Sequence, residues 1–68
     1  MASKVEDFSA GDQVSHILNG PGLCTKVEDG TVYVRFDKPF LGDMLWVGEY
    51  DKEWFDAFPE SLKVVAPA

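Results

Sequence analysis

An Asp-Gly dipeptide between two runs of β-forming residues is the feature that most restricts the fold of this chain. Asp29-Gly30 suits a two-residue type I′ turn, which requires positive φ at both central positions. In the stretch that follows, Val32, Val34 and Phe36 alternate with polar residues. A period of two is typical of a strand with one buried face. The sequence therefore predicts a β-hairpin at this point.

Turn residues divide the chain into five short predicted strands. In the first, Val14, His16 and Leu18 share one face,. In the second, Leu23, Cys24 and Val27 break the period of two, which indicates a bulge. The predicted strands are residues 13–18, 23–28, 31–37, 45–50 and 62–65.

The connections between these strands are predicted from glycine and proline. A tight turn is expected at 19–22, and a loop rich in apolar residues at 38–44. Residues 53–58 either continue the fourth strand or form a short helical turn, and 59–61 suit a single 3-10 turn. This arrangement predicts an all-β fold, a small five-stranded barrel.

The length of 68 residues suits one domain,. We expect residues 1–7 to form a flexible N-terminus, 8–65 a single barrel and 66–68 a tail. Phe8 is the first large apolar residue, and it is expected to pack against the barrel. A domain of this size needs a dense core, and 13% aromatic residues help to supply it,.

Twelve acidic residues against six basic ones give a formal net charge of −6. This balance disfavours direct nucleic-acid binding, which usually relies on a basic patch. It favours a basic protein partner. A single cysteine excludes an intrachain disulfide and fits a reducing cytoplasm,. The sequence predicts neither a membrane span nor a cofactor, and one cysteine with one histidine cannot complete a structural zinc site.

The order of these motifs resembles the SH3-like or Tudor-like barrels of bacterial transcription and repair proteins. The nearest pattern is that of the RNA-polymerase-interacting domains of the CarD and UvrD type. In that pattern a Gly-Asp turn opens the first strand, a Val-x-His follows, and a Gly-x-Gly turn leads into a twisted second strand. The residues that carry the resemblance are Phe8, Gly11-Asp12, Val14, His16, Gly20-x-Gly22, Val32-x-Val34-x-Phe36 and Leu62-Lys63-Val64.

Two departures from that family pattern are visible. Cys24 stands where the pattern usually has a β-branched residue, and residues 38–58 are longer and richer in aromatics than the usual short hairpin. The resemblance implies a five-stranded SH3-like barrel and an association with the transcription machinery. The small size suits a phage or mobile-element protein.

The sequence predicts no catalytic residue, and we expect no enzymatic activity. His16 is interpreted as a structural histidine bonded to a turn carbonyl, because no nucleophile is placed to use it as a base. Cys24 is interpreted as a small buried hydrophobe.

The predicted partner-binding surface combines aromatic and acidic residues of the second half. Trp and Tyr are enriched at binding hot spots, and a glycine between Trp46 and Tyr50 could leave a shallow concavity. Core packing of the aromatics and a merely solvated acidic face remain alternatives. The candidate residues are Phe40, Trp46, Tyr50, Trp54, Glu49, Asp51 and Glu53.

The leading hypothesis is a small module that binds a basic segment of a larger protein. A second hypothesis is a homo-oligomeric barrel with a ligand site between subunits, as in type II dihydrofolate reductases, although their Val-Gln-Ile-Tyr motif is absent here. The third is a nucleic-acid-associated protein or a DNA mimic. The net charge of −6 opposes the first of these and is small for the second.

Overall fold

Five strands form one antiparallel sheet in this computed structural model, in the order β4-β3-β2-β1-β5. The structure describes the backbone of residues 3–41 and 44–68, and the side chains of 3–38 and 47–68. This arrangement confirms an all-β domain. The elements are a 3-10 helix at Val5–Asp7, β1 at Gln13–His16, β2 at Gly20–Glu28, β3 at Thr31–Leu41, β4 at Met44–Asp51, α1 at Lys52–Ala57 and β5 at Leu62–Ala66.

The β2–β3 hairpin forms as the Asp-Gly pair predicts. Glu28 pairs with Thr31, and the two turn residues, Asp29 and Gly30, have φ values of 51° and 74°. The predicted bulge in β2 is also confirmed, because the register with β3 shifts between Cys24 and Lys26. The extra residue bends β2 and increases its twist.

The sheet is strongly bent. His16 of β1 and Tyr50 of β4 lie three strand positions apart in the sheet order, which in a flat sheet would separate them by about 14 Å. Their ring centroids are only 5.7 Å apart. The concave side therefore holds one core, formed by Phe8, Val14, Cys24, Val32, Val34, Phe36, Tyr50, Phe55 and Leu62.

β3 and β4 extend beyond their predicted ends, so the loop predicted at 38–44 is wrong for 38–41 and 44. Pro39 pairs with Leu45, and Leu41 pairs with Met44. Proline has no N–H to donate to the ladder, and the register shifts on both sides of Pro39. Residues 42 and 43 lie outside the described residues.

The first strand is shorter than predicted, and its turn comes earlier. β1 ends at His16, and residues 17–19 form the turn, so Leu18 is 86% exposed instead of sharing the buried face. The backbone N–H groups of Leu18 and Asn19 both donate to His16 Nδ1. These two N–H groups thus bond to a side chain instead of pairing with a neighbouring strand, and the strand ends. The turn predicted at 19–22 is confirmed for residue 19 and wrong for 20–22, because β2 begins at Gly20, which pairs with His16 of β1.

The segment after β4 is helical, so the alternative of a continued strand at 53–58 is wrong. Asp51 occupies the N-cap, and its carboxylate accepts a hydrogen bond from Trp54 N at 2.9 Å,. The helix α1 buries Phe55 against Phe8, with ring centroids 5.3 Å apart. A turn at residues 58–61 follows, closed by the hydrogen bond from Ser61 N to Phe58 O at 3.3 Å. This bond between residues three apart is of the 3-10 type predicted for 59–61, and a separate 3-10 helix lies at Val5–Asp7.

Asp12 is a buried carboxylate that the sequence analysis did not single out beyond its Gly-Asp motif. It is 4% exposed. One carboxylate oxygen accepts from Ser9 N and the other from Ala68 N, both at 2.9 Å. Asp12 therefore ties the turn before β1 to the residues after β5.

We expect Asp12→Ala to lower the free energy of unfolding by about 1–3 kcal/mol, because two N–H donors lose a charged acceptor. Urea denaturation measures the change. The matched control is Asp37→Ala, which removes the same charge from an exposed position of β3. Equal effects of the two substitutions would show that the buried hydrogen bonds contribute nothing.

Candidate functional site

An aromatic cluster closes one end of the core. Trp54 of α1 packs on Tyr50 of β4 with a centroid distance of 4.4 Å and on His16 of β1 at 5.8 Å. Phe36 of β3 meets the His16 ring edge-on at 5.8 Å. Tilted and edge-on rings at these separations attract each other beyond their buried area. The cluster therefore joins three strands and the helix at one point.

Tyr50, a predicted partner-binding residue, is part of the core. Its side chain is 6% exposed, and burial raises the pKa of the phenol. The concavity expected at Gly48 is filled by this same ring, since a Cβ on Gly48 would lie 2.7 Å from Tyr50 Cζ. Gly48 therefore makes room for a neighbouring side chain instead of a ligand.

The predicted acidic residues do not form one surface. Glu49 lies on the opposite face of β4 from Tyr50, across from Tyr33. Asp51 is exposed but serves as the helix cap. Glu53 is exposed on α1, directly before Trp54. Glu49 is therefore separated from the aromatic cluster by the sheet, although it directly precedes Tyr50 in the sequence.

The other two predicted aromatics, Phe40 and Trp46, have side chains outside the described residues. Their backbones belong to β3 and β4. Trp54 is thus the one predicted aromatic whose described side chain is partly exposed.

Exposed apolar side chains lie on two adjoining turns, one directly after His16 and the other directly after α1, and the predicted partner-binding surface does not include them. Ile17 and Leu18 in the β1–β2 turn are 72% and 86% exposed, and Phe58 after α1 is 53% exposed. The two turns adjoin, because Ile17 N donates to Ser61 O at 2.8 Å. Phe58 also contacts the Trp54 ring, with a centroid distance of 5.6 Å. We call Ile17, Leu18, Trp54 and Phe58 the turn surface.

One signal in the sequence could have found this surface. The two large apolar residues at 17 and 18 directly precede Asn19-Gly20, a pair with strong turn preference. Beginning the turn at residue 17 places both aliphatic side chains at its tip, where they cannot reach the core.

His16 supports the turn that carries this surface. Its Nδ1 accepts the N–H of Leu18 at 3.0 Å and the N–H of Asn19 at 3.2 Å. The predicted bond to a turn carbonyl is wrong, because the ring accepts from amides at this nitrogen. The neutral ring therefore carries its proton on Nε2. Burial lowers the pKa of His16 from its ordinary value of 6.5.

Cys24 is the buried small hydrophobe that the sequence predicts. It is 0% exposed, and its thiol donates to Lys26 O at 3.6 Å. Burial, helped by the negative charge of Asp12, raises the pKa of the thiol. A buried thiol with a raised pKa forms little of the nucleophilic thiolate.

Two grooves lie away from the turn surface. The larger, about 470 Å³, is bounded by the 3-10 helix, the β2–β3 turn and α1, and the Lys52–Asp56 ion pair at 3.0 Å forms part of its wall. The smaller, about 290 Å³, lies beside Arg35 and Val65. Within the described residues, no three His, Cys, Asp or Glu side chains meet in a metal-binding arrangement. No helix among them is long and apolar enough to cross a bilayer.

Comparisons of the chain with protein-family models, with curated proteins and with solved structures found no match in any of the three.

We expect the free energy of unfolding to fall as pH is lowered from about 7 to about 5.5. Burial lowers the pKa of His16 in the folded protein from its ordinary value of 6.5, so at any pH in this window the unfolded chain binds more protons at this ring and is favoured as pH falls. Urea denaturation at several pH values measures the trend. His16 is the single histidine, so His16→Asn should flatten the curve across this window. An equally steep curve for that variant would assign the effect to other groups.

Proposed function

We propose that this chain is a non-enzymatic protein-interaction module whose turn surface binds a basic segment that carries an apolar side chain. The observation that carries this proposal is the exposure of large apolar side chains from two adjoining turns. Phe58 also contacts Trp54 of the aromatic cluster, and Asp51 and Glu53 are exposed at the start of α1.

The apolar part of the surface suits binding better than folding. Single exposed apolar residues are ordinary, but several on adjoining turns are typical of interaction sites. Trp54 is held between Tyr50 and Phe58, so little side-chain freedom is lost when a partner covers it. Low ordering entropy is one reason that aromatic residues dominate binding hot spots.

The charge near this surface selects the partner. Residues 51–61 contain four carboxylates and one lysine. That lysine, Lys52, is already engaged by Asp56 at 3.0 Å. Glu53, exposed beside Trp54, is therefore available to a cation. Opposite charge on a partner accelerates association and fixes its orientation.

The sequence resemblance suggests both the fold of this chain and the class of protein that it binds. We propose that the bent sheet is an SH3-like (Tudor-like) barrel, which the short distance between β1 and β4 side chains supports. The resemblance to RNA-polymerase-interacting domains points to a component of the transcription machinery as the larger protein, in the cytoplasm. A phage or mobile-element origin belongs to the same proposal.

A titration followed by NMR tests the proposal. The probe is a synthetic peptide of lysines around a central leucine, and the controls replace the lysines with glutamates or the leucine with serine. We expect the lysine–leucine peptide to shift the Trp54 indole and the Ile17 and Leu18 methyl signals most. Shifts centred elsewhere, or equal binding of the glutamate peptide, would contradict the proposal.

Leu18→Ser and Phe58→Ser should each weaken peptide binding by about 1–2 kcal/mol, roughly five- to thirtyfold, through the loss of apolar contact. Stability should change little, because both side chains are mostly exposed. The matched control is Val65→Ser, which alters a 63% exposed apolar residue of β5. If light scattering instead shows a dimer that these variants dissociate, a second copy occupies the surface and the proposed partner is wrong.

Glu53→Gln should reduce affinity by about 0.5–1 kcal/mol, and its effect should shrink at high salt, because an exposed ion pair is screened. Glu28→Gln, an equivalent change at an exposed position of β2 beside Lys26, is the control. Calorimetry at two salt concentrations makes the comparison. A larger loss of affinity in Glu28→Gln than in Glu53→Gln would show that the lysines of the peptide bind elsewhere.

A further inference from the structure

The β1–β2 turn is held by a single titratable group. Both backbone donors at its tip, Leu18 N–H and Asn19 N–H, converge on His16 Nδ1. The ring is 8% exposed, so few water molecules can replace this acceptor. The two amides at the tip of the turn therefore depend on one lone pair for their hydrogen bonds.

Protonation removes that lone pair. A charged imidazole carries hydrogens on both nitrogens, so Nδ1 becomes a donor that faces two backbone donors. The turn must then open to hydrate its amides, or the ring must leave the cluster. Either change moves Ile17 and Leu18 relative to Trp54, which itself lies 5.8 Å from the His16 ring.

The surroundings of the ring are mostly uncharged. β3 contributes Phe36, β4 Tyr50 and α1 Trp54, while β5 places Leu62 opposite His16 in the register. Tyr50 is titratable, but burial raises the pKa of its phenol, so it stays neutral at acidic pH.

Two of the elements packed against the ring also carry charged side chains. On α1 these are the exposed Glu53 and the Asp51 cap, and on β5 the exposed Lys63. Histidine ordinarily changes charge near pH 6.5, and burial lowers the pKa of His16, so the ring gains its proton only as pH falls below that value.

We infer that protonation of His16 releases the β1–β2 turn and thereby weakens partner binding at the turn surface. The inference rests on the proposed function, since it assigns a regulation to the same surface. A mildly acidic environment would then dissociate the complex, and neutral pH would restore it.

The first test uses the free protein and needs no partner. NMR follows the His16 ring and the hydrogen-exchange protection of the Leu18 and Asn19 amides from about pH 7.5 to about pH 5, corrected for intrinsic exchange. We expect both amides to lose protection in step with the ring. The control is Cys24 N–H, which donates to Asp12 O and should keep its protection. Amides at 18 and 19 that ignore the ring titration would overturn the inference.

The second test measures affinity for the lysine–leucine peptide over the same pH range. We expect the wild-type protein to lose about tenfold in affinity, the order of one lost hydrogen bond. His16→Asn keeps an acceptor oxygen near the position of Nδ1 but does not titrate, so its affinity should stay level. A level wild-type curve, or a parallel loss in the variant, would overturn the inference. Absent binding at neutral pH with normal release of the amides would instead overturn the proposed function.

Discussion

The packing of His16 against Tyr50 and Trp54 is the interaction on which the rest of this structure depends. It joins β1 to β4 across a sheet in which they are not neighbours, with ring centroids 5.7 Å apart. Such an approach is possible only if the sheet bends around its core. The same cluster positions α1 through the contact of Trp54 with His16. The curvature of the sheet and the position of the helix therefore both depend on the packing around His16.

The short helix α1 brings part of this packing to the surface of the protein. Asp51 caps its first turn, and Phe55 is its buried residue. Trp54 consequently sits between the core and solvent. The residue contacts Tyr50 on one side and Phe58 on the other. A side chain so placed stabilises the fold and still offers apolar area, which is the arrangement that interaction hot spots commonly show.

The candidate site shows how far residue type alone can mislead. Trp54, Glu53 and Asp51 were singled out from the sequence, and all three lie on or beside α1. Tyr50 and Gly48 were read as a concavity, but Tyr50 is 6% exposed and its ring covers Gly48. Glu49 directly precedes Tyr50 in β4, and successive side chains of a strand point to opposite faces of the sheet. The period of two places Leu18 on the buried face only if the strand continues past residue 16, where β1 ends,.

Local sequence by itself determined the β2–β3 hairpin, the bulge in β2, the buried face of β3 and the burial of Cys24. These features depend on backbone preferences at Asp29-Gly30 and on alternation within a few residues. Tertiary structure decided where β1 ends, how far β3 and β4 extend, and which aromatics are buried. Those outcomes depend on contacts between distant residues: His16 with two backbone amides of the turn and with Trp54, and Asp12 with Ala68. No local pattern encodes such partners, because their proximity exists only once the sheet has bent.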